Sequence, residues 1–430
     1  MVPNRHILLA GVLLLLASSD ADAQLVRGIG GGLGSPVGGL SSGMLQGPLG
    51  TINRTAGGLT RDIGNTGDTV SRDLVGRPLE ARALSKDPLG APIVKDRILA
   101  ISPTAQSLAI AERLKFQLLR QEALNALGLT SVTLEVPDGM SEADALTALR
   151  SADPVGMYDF DHIYNPTGEA SQAPRANDLS YASADTVRIG MIDGGVGANH
   201  PALRGQAIQS QVFAGEGNAP ATQHGTAIAS LLVGKDGSFG GYLPGAKLYV
   251  ADVFGGAADG GSAADIARAL NWLAENRIPV TNVSLAGPNN ALLAAAVRAF
   301  VSSGHVLVAA VGNNGPAAPP NYPAAYDGVI GVTSVDAGKN LEIDANHNAV
   351  RFAALGVGVR AANLPRGYAD VTGTSYAVPA VAARLALLID KPAKGAVDAC
   401  VDRLSHDASP IPGIGLLYVS APPAAVISSR

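Results

Sequence analysis

The sequence predicts an α/β protein, a doubly wound and mostly parallel sheet preceded by a small α+β domain. Two patterns carry this. Over the C-terminal half, continuous apolar runs of strand length alternate with amphipathic helical stretches, as strands do when helices cover both faces of a parallel sheet. Ahead of them, segments of period 2 and period 3.6 follow in the order β-α-β-β-α-β. Composition agrees, because 47% of the 430 residues are apolar and 16% charged, too hydrophobic for a disordered chain.

From the N-terminus, Arg5 and His6 precede an apolar run, Ile7–Ala17, and Ala21-Asp22-Ala23 forms a small-x-small cleavage site before Gln24. Residues 1–23 therefore read as a signal peptide, which implies a secreted or periplasmic protein. The run is too short to span a bilayer and no later segment is long and apolar enough, so no stable membrane insertion is expected. Residues 24–95 are rich in Gly, Ser, Thr and Leu and lack aromatic residues until Phe116. Such a stretch buries too little to offset the ordering entropy of about 1 to 2 kcal/mol per residue, and it is expected to be a flexible leader.

Residues 96–166 change character. Arg97–Ile101 alternates as a strand, a helical pattern starts at Ser107 through Leu108, Ala111 and Leu114, and Lys115–Arg120 alternates again. Ser131–Val136 is a third strand. Ser141 with Asp144 three residues on opens a helix carrying Leu146 and Leu149, and Val155–Phe160 is a fourth strand. This is a ferredoxin-like order, which says nothing about activity by itself. Residues 167–186, with Gly168, Ser171 and Pro174, read as an exposed linker.

The main domain, 187–430, supplies the runs Val187–Ile192, Ala246–Val253, Val280–Leu285, His305–Val311 and Gly328–Ser334 as buried strands. Ser262 with Asp265 caps a helix bearing Ile266, Leu270 and Leu273, and Asn290–Ser303 is another, closed by Gly304. The segment after Lys391 completes the fold and shows no functional motif.

Several functions drop out. The balance of 31 basic and 36 acidic residues gives a net charge of −5, which offers no field for nucleic acid. The single cysteine, Cys400, cannot form an intramolecular disulfide, and the seven histidines show no metal-ligand spacing, so no metal and no cofactor are expected.

In a doubly wound sheet, reactive groups belong at the carboxyl ends of strands and in the turns beyond them. Asp193 ends the first such strand, before Gly194-Gly195. A dinucleotide site would need a third glycine where His200 stands. His224 opens a helix with Gly225 and Thr226 behind it, and Ser375 follows Gly373-Thr374 at another helix start, where the positive end of the helix favours an oxyanion. Taken singly, a histidine is more often structural, as His200, His305 and His347 are expected to be, and a serine is more often an N-cap. Asp, His and Ser in that order, each beside a glycine in one α/β domain, form a set suited to nucleophilic catalysis.

With these motifs in view the chain resembles the subtilisin-like serine peptidases. Ile192-Asp193-Gly194-Gly195 resembles the family's aspartate motif, with Gly194 where Ser or Thr is usual, which removes a side-chain hydrogen bond near the carboxylate. His224-Gly225-Thr226 and Gly373–Pro379 resemble its histidine and serine motifs. The resemblance implies Asp193, His224 and Ser375 as catalytic residues and Asn313 as the oxyanion-hole amide. It also implies Ser284, Leu285, Ala286, Gly287, Ala310 and Gly312 as substrate-binding residues, with Ala286, Ala309, Ala310 and Val311 making an apolar primary pocket. Its substrates would be proteins or peptides. Family propeptides share the β-α-β-β-α-β order, so residues 96–166 would act as intramolecular chaperone and inhibitor of a zymogen that cuts itself between Tyr164 and Thr186. Structural calcium occurs in the family, but the resemblance carries no calcium site over to particular residues of this chain. The competing expectation is an exported binding protein built on an inactive peptidase domain.

Overall fold

The computed structural model describes residues 83–170, 184–215, 219–257, 260–412 and 416–420, all within one compact unit. The signal peptide, the leader up to residue 82 and linker residues 171–183 lie outside the described residues.

Four antiparallel strands form the small domain: β1 (Pro92–Ile101), β2 (Gln117–Leu124), β3 (Leu129–Glu135) and β4 (Met157–Pro166), in the order β4-β1-β3-β2. Helices α1 (Ala105–Arg113) and α2 (Glu142–Ala152) join them. Ser141 caps α2 as its spacing predicts, accepting from Asp144 N at 3.1 Å and donating to the Asp144 carboxylate at 2.7 Å. The cap of α1 is Thr104 rather than Ser107, which sits inside the first turn and donates its N–H to the Thr104 hydroxyl. A cap of this kind is worth about 1 kcal/mol.

Two boundaries move. The leader ends well before residue 95, because Leu84–Lys86 pairs with the start of β1 and Asp87 closes the connecting turn by accepting from Leu89 N and Ala91 N. Ile93 lies in the small domain's core and Val94 is buried beside it. Two apolar β-branched residues were enough to continue the strand, and the glycine-rich average of the segment concealed them. At the other end, β4 runs six residues past Phe160 and stops at Pro166, so the strand is longer than its alternation implies and ends where the linker was expected to begin.

The main domain is a parallel sheet of β5 (Arg188–Asp193), β6 (Ile208–Val212), β7 (Lys247–Asp252), β8 (Val280–Val283), β9 (Val306–Ala310), β10 (Ile330–Val335) and β11 (Phe352–Leu355). Their order is β6-β7-β5-β8-β9-β10-β11, extended past β11 by the short strands Leu417–Tyr418 and Ser409–Pro410. Alternation sends Leu248, Val250, Val306, Val308 and Ala310 to one face, with α3 (Gln223–Val233) and α6 (Thr374–Ala386). Tyr249, Ala251, Leu307 and Ala309 go to the other, with α4 (Ala263–Glu275) and α5 (Ala291–Ser302). From β5 the chain passes to the edge at β6 and returns inward to β7, then crosses to β8 and continues the opposite way. The reversal opens a crevice at the carboxyl ends of β5 and β8.

The small domain docks on α4 and α5. Leu99, Ile101 and Leu127 share a core cluster with these helices, while Ile98 and Ala100 face α1 and α2. Two carboxylates on β4 cap the helices they meet: Asp159 accepts from Ala291 N at 2.7 Å and Asp161 from Ala264 N at 3.1 Å. Negative charge is favoured at both helix N-termini. Arg268 of α4 adds an ion pair to Glu122 at 3.0 Å.

Candidate active site

The carboxyl end of β5 places Asp193 at the floor of the crevice, with no solvent exposure. Its oxygens accept from Gly194 N at 2.7 Å and lie 3.0 Å from His224 Nδ1. With Nδ1–H donating to the carboxylate, the lone pair of the neutral ring sits on Nε2. That nitrogen is buried and has no hydrogen-bond partner.

Gly194, the departure from the family pattern, has a local cause. A side chain there would start 2.5 Å from the Thr222 hydroxyl and 2.7 Å from the Phe254 ring. Thr222 fills that space and does other work: its hydroxyl caps α3 by accepting from Gly225 N at 3.0 Å and donates to Gly195 O at 3.2 Å. The carboxylate is held by the Gly194 backbone instead of a side chain.

Beside Asp193 stands a second carboxylate. Asp252 is its register partner across the β5–β7 pair and is 2% exposed. Burial pushes its pKa up to about 6, the nearby Asp193 and Asp265 charges add to the rise, and hydrogen bonds from Gly255 N and Phe254 N oppose it.

Ser375 sits in the first turn of α6, after Gly373 with φ +148°, a backbone that favours glycine. A Cβ on Gly373 would stand 2.6 Å from Asn313 Nδ2 and 2.8 Å from Thr167 O, so the amide and that carbonyl crowd the same side of the turn. Asn313 is fixed by accepting from Thr374 N at 3.0 Å. The Ser375 hydroxyl donates to Ser284 O at 2.9 Å, and Ser284 Oγ in turn donates to Ser375 O at 3.0 Å, itself receiving Asn282 Nδ2.

The chain's own residues fill the cleft. Ser375 N donates to Thr167 O at 3.0 Å, Thr167 N donates to Ser375 Oγ at 3.0 Å, and the two hydroxyls lie 2.6 Å apart. Thr374 Oγ1 donates to the Thr167 hydroxyl at 3.3 Å. Donation therefore runs from Thr374 through Thr167 to Ser375 and ends on Ser284 O, which turns the Ser375 proton away from His224. Upstream, β4 pairs antiparallel with Leu285–Ala286 through Pro166 and Asn165, and with Gly261–Ser262 through Tyr164 and Ile163. Downstream, Glu169 and Ala170 pair with Thr372 and Val371.

Comparison with known proteins places the chain in a family. The sequence profile of the Subtilase family matches residues 184–410. The chain belongs to the subtilase family. It is 33% identical to subtilisin DY of Bacillus licheniformis over 262 residues, 58% of this chain and 95% of that one. To subtilisin Savinase of Lederbergia lenta it is 34% identical over 224 residues, 51% of this chain and 82% of the other. The crystal structure of fervidolysin from Fervidobacterium pennivorans, a keratinolytic enzyme related to subtilisin, shares the fold at a TM-score of 0.64 and 19% identity, covering 84% of this chain and 66% of that one. The chain is thus a subtilisin-like serine peptidase, and peptides are its substrates.

In this subtilase, Asp193, His224, Ser375 and Asn313 gather at one end of the sheet. Of the anticipated substrate residues, Leu285 and Ala286 pair with the bound segment, Ser284 O accepts the hydrogen bond of the Ser375 hydroxyl, and Gly287 lies under the Tyr164 ring, 2.6 Å from where its Cβ would be. Tyr164 is fully buried and donates its hydroxyl to Pro288 O at 2.7 Å. The expected apolar pocket needs correction: Ala310 packs toward α6, whereas Ala309 and Val311 pack on the opposite face of the sheet. Consecutive strand residues cannot line one wall. Gly312 supports the site through its N–H to Thr374 Oγ1 at 3.2 Å, with Asn321 packed over it. His200 and His305 are structural, the first bonded to Gly367 O at 2.8 Å and the second stacked on Phe300. Sequence reasoning passed over Thr222, Asp252, Tyr376 and Gly261–Ser262. Only the last carried a signal, since Ser262 was already recognisable as a helix cap.

Proposed function

We propose that this subtilase is an exported endopeptidase, made as a zymogen, whose first substrate is its own Thr167–Gly168 bond. The observation that carries this is the pair of hydrogen bonds joining Thr167 to Ser375, which bring the Thr167 carbonyl against the nucleophile with its oxygen on Ser375 N. Ser375 Oγ attacks the Thr167 carbonyl carbon after its hydroxyl swings from Ser284 O to the open His224 Nε2, which takes the proton. Asp193 holds the imidazole tautomer and stabilises the cation. Ser375 N and Asn313 Nδ2 receive the oxyanion. Collapse releases the Gly168 amine with the proton from His224 and leaves Thr167 esterified to Ser375. Water, deprotonated by His224, then attacks the ester, and His224 returns that proton to Ser375 Oγ as the Thr167 carboxylate leaves.

The docked small domain is the intramolecular inhibitor in this reading. Its last strand fills the cleft while Asp159 and Asp161 hold it to α5 and α4. Export rests on the apolar run Ile7–Ala17 and the small-x-small site before Gln24. Among the described residues no helix is long and apolar enough to cross a membrane.

Intact mass after incubation tests the proposal on the chain from Gln24 and its Ser375→Ala variant. The first should yield a fragment beginning at Gly168, and the second should stay whole. Cleavage elsewhere, or an intact chain in both, would overturn it.

A further inference from the structure

The residue after the bond is held differently from every residue before it. Gly168 has φ +147°, and a Cβ there would stand 2.5 Å from Tyr376 Cε2 and 3.0 Å from both Tyr376 Cδ2 and Thr372 O. Real side chains essentially never approach that closely. On the other flank Gly373 presses its α-carbon side against Gly168 Cα, so the backbone cannot slide away from the ring. Neither wall is free to yield. Tyr376 follows the nucleophile directly, in the first turn of α6, is 4% exposed, and packs with its ring centroid 5.5 Å from that of His224. Moving the ring outward would disturb the histidine, and moving it inward meets the core around α6.

We infer that Tyr376 makes this peptidase select glycine immediately after the scissile bond. It is a specificity-determining residue, and the substrate class is peptides carrying an Xaa-Gly bond. The inference rests on the proposed role of Ser375 and adds the identity of the residue on the leaving side. Any larger residue must both leave the φ of +147°, which favours glycine by itself, and clear the overlap with Tyr376, and the larger of these shifts, that against the ring, moves the scissile carbonyl off Ser375 N. A displacement of about 1 Å at the reacting atoms costs on the order of 10²-fold in rate.

The test uses the full chain after self-cleavage, a peptide series Tyr-Asn-Pro-Thr-Zaa with Zaa as Gly, Ala, Ser or Leu and a fluorogenic pair at the ends, and mass spectrometry to locate the cut. The wild type should cut the Gly peptide about 10²-fold faster than the Ala peptide. In Tyr376→Leu and Tyr376→Ala, compared by the Gly-to-Ala ratio within each enzyme, the preference should fall below about ten-fold, while Tyr376→Phe should keep it. Within the chain, Gly168→Ala should slow self-cleavage, and adding Tyr376→Leu should recover it relative to Tyr376→Leu alone. Equal cutting of Gly and Ala peptides by the wild type, or a preference unchanged in both Tyr376→Leu and Tyr376→Ala, would overturn the inference and leave the peptidase proposal standing. If neither the chain nor any peptide is cut, the role given to Ser375 fails and the inference falls with it.

Discussion

Replacing Asp252 by Asn should stabilise the fold above pH 6 and leave it unchanged below pH 4. The carboxylate titrates near 6 in the folded chain because burial disfavours its charge, whereas an ordinary aspartate titrates at 3.8. Between those values the folded chain holds a proton that the unfolded chain has released, so stability falls as pH rises through the window and the deficit is constant above it. The gap corresponds to about 3 kcal/mol, or about 6 to 12 °C in melting temperature for a domain this size. Asparagine suits the site because Phe254 N and Gly255 N both donate to a single oxygen, which the amide carbonyl can replace. Melting curves from pH 4 to 8 on Ser375→Ala and Asp252→Asn/Ser375→Ala chains, which cannot digest themselves, make the comparison. His305, pushed down to about 4 by burial, loses stability as pH falls from 6.5 to 4, but it is common to both chains and cancels in the difference. A difference in melting temperature that stays constant from pH 4 to 8 would refute the reasoning.

Three further outcomes follow from the same site. Asn313→Ala should lower turnover on peptides by about 10²- to 10³-fold with little change in KM, the loss known for the corresponding amide of subtilisin, in single-substrate kinetics. Thr167→Val removes the hydroxyl that donates to Ser375 without changing side-chain shape, so self-cleavage should quicken by about five-fold, the worth of one net hydrogen bond, in a gel time course. Asp159→Ala with Asp161→Ala should weaken the hold of the small domain by about 2 kcal/mol, read as a shorter lag between self-cleavage and the onset of peptide hydrolysis.

What the sequence made legible were features whose cause lies nearby in the chain. Strands β5 and β7–β10 are continuous apolar runs because helices cover both faces, and Ser141 and Ser262 announce helix starts by an aspartate three residues on. Asp193, His224 and Ser375 stood out because the turns that hold them need glycine. The end of β4 was not legible: past Phe160, Asp161 and His162 look like a polar loop until α4 and the Asn290 cap of α5 supply their partners. Asp252 was hidden for a similar reason, since a strand-ending aspartate looks solvated until its register partner is known to be another aspartate. Tyr376 was visible as a letter in the serine motif, but its effect depends on a backbone that passes it from 208 residues away.

Among the described residues the pairing around Thr167 is lopsided, and in the proposed self-cleavage that would set the order in which the two halves depart. Upstream, a ten-residue strand is rooted in a folded domain; downstream, among the described residues, only Glu169 and Ala170 are paired, against Thr372 and Val371. In the proposed self-cleavage, the weaker of these described pairings lies on the side of the new amine, so that side would part first and resealing would lose its partner. The upstream half would stay behind as a tenant of the cleft. On the proposed function, bond breaking would fix when a peptidase has been made, while eviction or digestion of that tenant would fix when it begins to act on anything else, and the interval between the two events would be time in which the protein could travel without digesting its surroundings.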